Sequence, residues 1–266
     1  MDEDYEEPDE ESRRADLLRI VPRGRTSVLD VGARGGYFSK RLTEYFSSVT
    51  ALDLEKPQFE FPGVTTIAGD ARDLPFPDGS FDCVFCAEVL EHVPGVEQAC
   101  REIIRVARHE IVIGIPYRQD IRVGRTTCRR CGKPNPPWGH INSFTESRIL
   151  SLFPGLRVDT KSYVSSNGMV TNPVSTYLLD LCGNPNGAYN QLEPCMYCGA
   201  KLERPPAKRP VWSRACSSLA SALNRAQRMF TSPWPNWVHL VFSKDPVSGH
   251  NLSDRLPAGE RTAAGR

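Results

Sequence analysis

The chain has 266 residues, 39% of them hydrophobic, enough for one sizeable core carrying an elaboration. Its 33 Lys and Arg offset 32 Asp and Glu, so a net charge of +1 excludes a global pull toward nucleic acid or membrane. No run reaches the ~18 apolar residues of a membrane span, and the N-terminus is acidic where a signal peptide would be basic and then apolar, so a cytoplasmic protein is expected.

The chain opens with MDEDYEEPDEES, a like-charge block that cannot bury itself and reads as a disordered tail leading into a helix, residues 1–20 in all. SVLDV (27–31) is strand-like, and SKRLTEYF (39–46) places Leu42, Tyr45 and Phe46 on one helical face. VTALDL (49–54), VTTIAGD (64–70) and FDCVFC (81–86) read as further strands. GVEQACREIIRVAR (95–108) reads as a helix burying Val96, Cys100, Ile103, Ile104 and Ala107. EIVIGIP (110–116) is apolar throughout, as a strand buried on both faces would be. Strand and helix units alternating at this length argue for a parallel sheet covered by helices.

Beyond Pro116 the rhythm changes. SFTESRILSLF (143–153) opens with Ser143 three residues before Glu146, a capping-box spacing, and reads as a helix. LRVDTKSYVSS (156–166) and WVHLVFSK (237–244) read as strands, with helical pieces near 172–181 and 211–229. The second of these is amphipathic, with Trp212, Leu219, Leu223, Ala226 and Phe230 on one side, and reads as a domain-packing helix. Residues 246–266 lack apolar periodicity and read as a second disordered tail.

VLDVGARGG (28–36) carries the first functional signal. A glycine turn between a strand and a helix lets a ligand approach bare backbone at the carboxyl end of a sheet. Asp30 is followed by Asp53 at the end of the next strand and by Asp70 at the end of the third. Asp53 lies 23 residues beyond Asp30, near the ~20 expected of an acid that holds a ribose hydroxyl pair. Dinucleotide binding is the rival, but its G-x-G-x-x-G fingerprint fails at Arg34 and Tyr37.

VLDVGARGGYF, ALDLE and AGDARDLPFPDGSFDCVFCAEVLEHV together resemble the motifs of the class I S-adenosylmethionine-dependent methyltransferases, and the DLPFPDGSFDCV phrase resembles their small-molecule branch. The resemblance runs from about Val28 to Pro116. It implies a Rossmann-like α/β fold: a mostly parallel seven-stranded sheet with helices on both faces, spanning 21–245 and carrying elaborations at about 118–140 and 167–233. It further implies S-adenosylmethionine as cofactor. Gly32, Ala33 and Gly36 would make the turn beside the methionine part, with Asp30 near its ammonium group. Asp53 would accept the ribose hydroxyls, with Leu54 after it. Asp70 and Ala71 would meet the adenine edge, and Glu88 would lie along the pocket. Arg34 stands where the family has glycine.

Methyl transfer from a sulfonium is an in-line displacement, so the protein mainly aligns a nucleophile and needs a base only if that nucleophile must lose a proton. His92, past the fourth strand at the mouth of the implied site, and His140, in PPWGHINSF, are the candidate catalytic residues. His109 and His239 read as structural, and Tyr37 and Tyr117 as pocket residues.

TTCRRCGK and EPCMYCGA carry the second signal. Each C-x-x-C-G turn aims two thiolates at one point, so Cys128, Cys131, Cys195 and Cys198 together make a candidate structural zinc site. The pairs stand farther apart than the ~15–20 residues of a zinc ribbon, so the fold must join them. Four sulfurs close the coordination shell, leaving the zinc no catalytic role. It would clamp the loop after the fifth strand to the segment before the last strand and so shape the substrate pocket. The remaining cysteines, among nine in total, read as ordinary thiols rather than disulfides.

Arg118, Arg122, Arg125, Arg129, Arg130 and Lys133 crowd the first cysteine pair, and Lys201, Arg204, Lys208, Arg209, Arg214, Arg225 and Arg228 follow the second. A solvated face, an anionic small molecule or glycan, a membrane surface and RNA would each suit them. The reading that follows is a methyltransferase acting on a hydroxyl or amine of a small molecule or sugar-containing metabolite, oxygen favoured. A zinc-containing RNA methyltransferase and a non-catalytic partner-binding protein are the alternatives. The methyl acceptor and the oligomeric state are not legible.

Overall fold

The computed structural model describes residues 8–167 and 169–244. The acidic opening block enters a helix inside its own length. Helix α1 (Pro8–Ile20) carries Glu10 and Glu11 in its first turn, where the helix dipole favours anions, and Arg14 pairs back to Glu10 four residues away. Leu17 and Ile20 anchor its far end in the core. Residues 1–7 and the expected tail at 246–266 lie outside the described residues.

The next elements alternate as the sequence pattern demands: β1 (Ser27–Val31), α2 (Tyr37–Leu42), β2 (Ser48–Asp53), β3 (Val64–Ala68), β4 (Phe81–Ala87), α3 (Val96–Val106) and β5 (Ala107–Pro116). Then come two short strands, β6 (Thr126–Thr127) and β7 (Pro134–Asn135), followed by α4 (Glu146–Leu152) and β8 (Arg157–Asn167). Helices α5 (Pro173–Leu181) and α6 (Val211–Arg228) lead to β9 (Trp234–Ser243).

Seven strands form one sheet in the order β3, β2, β1, β4, β5, β9, β8. The first five are parallel, and β9 runs antiparallel between β5 and β8. Every residue of β4 is buried, as a central strand covered on both faces must be. One face packs the apolar stripe of α3 together with Phe144 and Ile149, and the other packs Leu17 of α1 and Leu42 of α2. The expected mostly parallel, doubly covered sheet is therefore the observed one. Strand order reverses between β1 and β4, so the turns after those strands open a crevice at their carboxyl ends.

Several local expectations need correction: α2 stops at Leu42, leaving Tyr45 and Phe46 beyond it, and Ala107 belongs to β5 rather than to α3. Helix α4 is capped by Thr145, whose side chain accepts from the Arg148 N–H, while the Ser143 hydroxyl instead donates to the Gln119 carbonyl and Glu146 pairs with Lys161. In α6 the buried stripe is Ser213, Ser217 and Ala220, small residues that let it approach α5, whereas Trp212, Leu219 and Phe230 are exposed. No helix among the described residues is long and apolar enough to cross a membrane.

Candidate functional site

The turn after β1 doubles back over the end of β2, and the N–H groups of Gly32 and Ala33 both donate to the Leu52 carbonyl, at 2.7 and 3.0 Å. Two glycines make this geometry attainable. Gly32 has φ 79°, and a Cβ there would stand 2.2 Å from Cγ2 of Val89; Gly36 has φ 80°, and its Cβ would stand 2.6 Å from the Phe59 ring. Arg34 sits between them in the left-handed region at φ 42°, and its side chain leaves the turn to pair with Glu193 at 2.7 Å.

The turn divides the crevice. On one side lies a cavity of about 280 Å³ bordered by Asp53, Leu54, Asp70, Ala71, His92 and Glu193. On the other lies a cleft of about 790 Å³ bordered by Asp30, Ala33, Gly36 and Tyr37. Gly32, Arg34 and Glu88 border both. All nine residues that the resemblance assigns to the cofactor therefore border one of two spaces that share Gly32, Arg34 and Glu88.

Each carboxylate has its own environment. Asp53 accepts the N–H groups of Arg34 and Leu54, one on each oxygen, at 2.8 and 2.7 Å, which fixes the group at the cavity wall. Asp70 is held on both oxygens by the Arg72 guanidinium, whose hydrogen bonds keep its carboxyl below the usual range. Asp30 lies buried beneath the turn, with Ser39 donating to one oxygen at 2.5 Å. Burial raises its carboxyl to about 7, the Ser39 bond opposes this, and the Asp53 charge adds to it. Glu88, at φ 59°, ion-pairs with Arg13 of α1 at 3.1 Å.

The candidate histidines converge. His92 is in the cavity wall and His140 lies buried behind it, their ring centroids 4.6 Å apart and edge to face. Burial, with the Arg34 charge second, lowers the pKa of His92; burial, with His92 second, pushes His140 down to about 3. Tyr117 instead packs against Tyr163, and His239 is buried in β9 with Nδ1 2.7 Å from an Asp16 carboxylate oxygen, a structural pairing.

The four cysteines of the C-x-x-C-G turns also meet, with their sulfurs all within 4.8 Å of one another. The pairs Cys128–Cys198 and Cys131–Cys195 stand 3.7 and 3.6 Å apart. Sulfurs at the corners of a tetrahedral zinc site stand about 3.8 Å apart, given metal bonds of about 2.3 Å. The turns are built alike. Gly132 N–H donates to Cys128 O and Gly199 N–H to Cys195 O, both glycines having positive φ, while Cys128 and Cys195 donate their own N–H groups to Lys133 and Ala200. Asn135 joins the two turns by accepting the Met196 N–H. His140 is not part of this set. Glu193, two residues before Cys195, is what brings the cysteine unit to the cavity.

Sequence reasoning passed over Glu91, Glu193 and Arg13. Glu91 is fully buried beside His92, and a carboxylate adjoining a histidine at a strand end was its available signal. The contacts of Glu193 and Arg13 come from segments remote in the chain, which no local pattern announces.

A family model described as "Methyltransferase domain" matches residues 29–112. The biotin biosynthesis bifunctional protein BioHC of Cellvibrio japonicus is 31% identical over 102 residues, covering 35% of this chain and 20% of that protein. An uncharacterized methyltransferase, YcgJ of Bacillus subtilis, is 32% identical over 93 residues, covering 31% of this chain and 37% of that protein. The matches thus span well under half the length of these relatives. The crystal structure of YcgJ superposes with a TM-score of 0.51 at 16% identity, over 88% of this chain and 97% of that one. A putative methyltransferase of Bacillus halodurans gives 0.52 at 14% identity, over 86% and 96%. At such identities the structures speak for the fold, and the sequence matches speak for residues 29–112. Residues 29–112 are thus similar to a methyltransferase domain, and the chain as a whole has the Rossmann-like fold of the class I S-adenosylmethionine-dependent methyltransferases.

Proposed function

We propose that the protein transfers a methyl group from S-adenosylmethionine to a hydroxyl, or secondarily an amine, of a small molecule or sugar-containing metabolite. The observation that carries this reading is the pair of spaces on either side of the glycine turn, with a carboxylate at the end of each of three neighbouring strands. S-adenosylmethionine supplies a methyl group already activated by its sulfonium. The chain's residues do the rest by position. Asp53, held by two backbone N–H groups, keeps acceptor capacity for a ribose hydroxyl pair. Asp30 offers an anion beneath the bare turn for an ammonium group, and Asp70 with Ala71 borders the space for adenine, where its amino group would share Asp70 with Arg72.

His92 and His140 activate the acceptor. Burial disfavours the charged form of both imidazoles, with His92 in the cavity wall and His140 packed edge to face behind it. The cysteine unit binds a structural zinc ion through Cys128, Cys131, Cys195 and Cys198, and the Arg34–Glu193 ion pair carries its position to the turn. The elaborations at about 118–140 and 167–233 then form the acceptor side of a single methyltransferase domain running through 21–245. In the basic segments Arg122, Arg125 and Arg129 pair with Asp120, Asp180 and Glu203 of the protein itself, which favours a small acceptor over RNA.

The test is transfer of a ¹³C-methyl group from labelled S-adenosylmethionine to pooled small hydroxylated and aminated acceptors, with structured RNA alongside. Label in a hydroxylated small molecule is expected, and label in RNA alone would replace this reading with the RNA one. No transfer to any pool, from protein that binds the donor, would favour a non-catalytic scaffold.

A further inference from the structure

We propose that Glu91, His92 and His140 bind a divalent transition-metal ion at the end of the methyl-transfer cavity, distinct from the zinc of the four cysteines. The three residues offer one ligand atom each, all within 4.8 Å of one another.

Three independent features converge. First, Glu91 is fully buried, and among the described residues neither of its carboxylate oxygens has a hydrogen-bond partner other than a contact with its own backbone N–H. A buried carboxylate left this way is costly unless it is neutralised or coordinated.

Second, the imidazole of His140 is arranged as a ligand. Its Nδ1 is 2.7 Å from Gln119 Oε1, an atom that only accepts, so Nδ1 carries the proton and Nε2 keeps its lone pair. Orientation of one ring nitrogen by an outer hydrogen bond is the usual support of a metal-binding histidine. His92 is oriented in the same manner by a hydrogen bond with the Gly139 backbone.

Third, the backbone staples the ligand-bearing loops together. The Glu91 carbonyl accepts the N–H groups of Ile141 and Asn142 at 2.8 and 3.0 Å, and the Asn142 side chain donates to the carbonyls of Leu90 and Val93. The donors from these two loops are thus preorganised before any ion arrives. The cations that act on Glu91 are themselves paired, Arg13 with Glu88 and Arg34 with Glu193.

Two imidazole nitrogens and one carboxylate oxygen suit zinc, cobalt, iron or manganese better than calcium, which asks for six to eight oxygens. Three protein ligands leave coordination positions open, in contrast to the closed four-sulfur set. This part rests on the methyl-transfer reading: an acceptor hydroxyl held at an open position loses its proton to solvent more readily. Its oxygen then bonds to the methyl carbon as the S–C electron pair returns to sulfur, leaving a methyl ether, a neutral thioether and one proton.

Cobalt(II) is the probe, added to protein whose cysteine site has first been filled with zinc. One further ion per chain with weak visible absorption and no thiolate charge-transfer band is expected, with at least ~10-fold weaker binding in Glu91→Gln and His140→Asn that retain their zinc and their affinity for S-adenosylmethionine. Either variant suffices if the other does not fold. Absence of a further ion, a thiolate band in its spectrum, or unchanged affinity in a folded variant overturns the proposal. Cobalt binding in protein that does not bind S-adenosylmethionine would leave the metal site standing and remove the methyl-transfer reading instead.

Discussion

Asp30 is the residue whose environment most directly links structure to a measurable response. Its native carboxyl titrates near 7, above the ordinary 3.8, because burial disfavours the anion. Between those values the native state binds more protons than the unfolded one, so this group's contribution to stability falls as pH rises from about 4 to 7. A ligand ammonium at Asp30 reverses the preference by favouring the carboxylate. Binding of S-adenosylmethionine should then release close to one proton at pH 6, and affinity should rise toward pH 7.5. Calorimetry in two buffers of different ionisation enthalpy measures the release, and Asp30→Asn should abolish it. Proton uptake, or no linkage, would place the ammonium elsewhere. The three aspartates were legible because each ends a strand in a readable pattern. Glu91 was not, because its significance depends on His140 returning to it, and that return is made by backbone bonds at Ile141 and Asn142.

At the scale of elements, the turn after β1 is constrained from two directions. Gly32→Ala combines a positive φ with a Cβ 2.2 Å from Val89, so we expect a loss of roughly 1–3 kcal/mol in stability and loss of S-adenosylmethionine binding, read by thermal melts and calorimetry. A stable Gly32→Ala protein with wild-type affinity would contradict this account of the turn. The cysteine turns make a comparable unit. With the second site disabled by Glu91→Gln, purified protein should hold one zinc ion per chain, and adding Cys195→Ser should release it and loosen the Glu193 contact, weakening S-adenosylmethionine binding several-fold. Retention of that zinc by the double variant, measured by metal analysis, would dissolve the four-cysteine site. The C-x-x-C-G pairs were legible from spacing, but β6 and β7 were not, since strands of two residues have no periodicity. Helix α1 was hidden by its acidic composition, its core anchors Leu17 and Ile20 coming only at the end.

For the whole molecule, alternation of strand and helix through β5 announced the parallel sheet. The resemblance supplied what periodicity could not, that the sheet has seven strands and is mostly parallel, while the antiparallel run of β9 between β5 and β8 is a finding of the structure. The exposed side of α6 escaped prediction because its amphipathic pattern does not say which stripe meets α5, and small residues won that contact. What the assembled fold does is bring turn, cysteine unit and histidine corner to one crevice at the reversal of strand order. The central claim is that this crevice holds S-adenosylmethionine. Calorimetric titration of S-adenosylmethionine into the zinc-replete protein, with NAD as the comparison ligand and Asp53→Ala as the control, tests it. Micromolar binding of S-adenosylmethionine alone, weakened at least ~10-fold by Asp53→Ala, is the predicted result. Binding of NAD instead, or of neither ligand, would contradict the account.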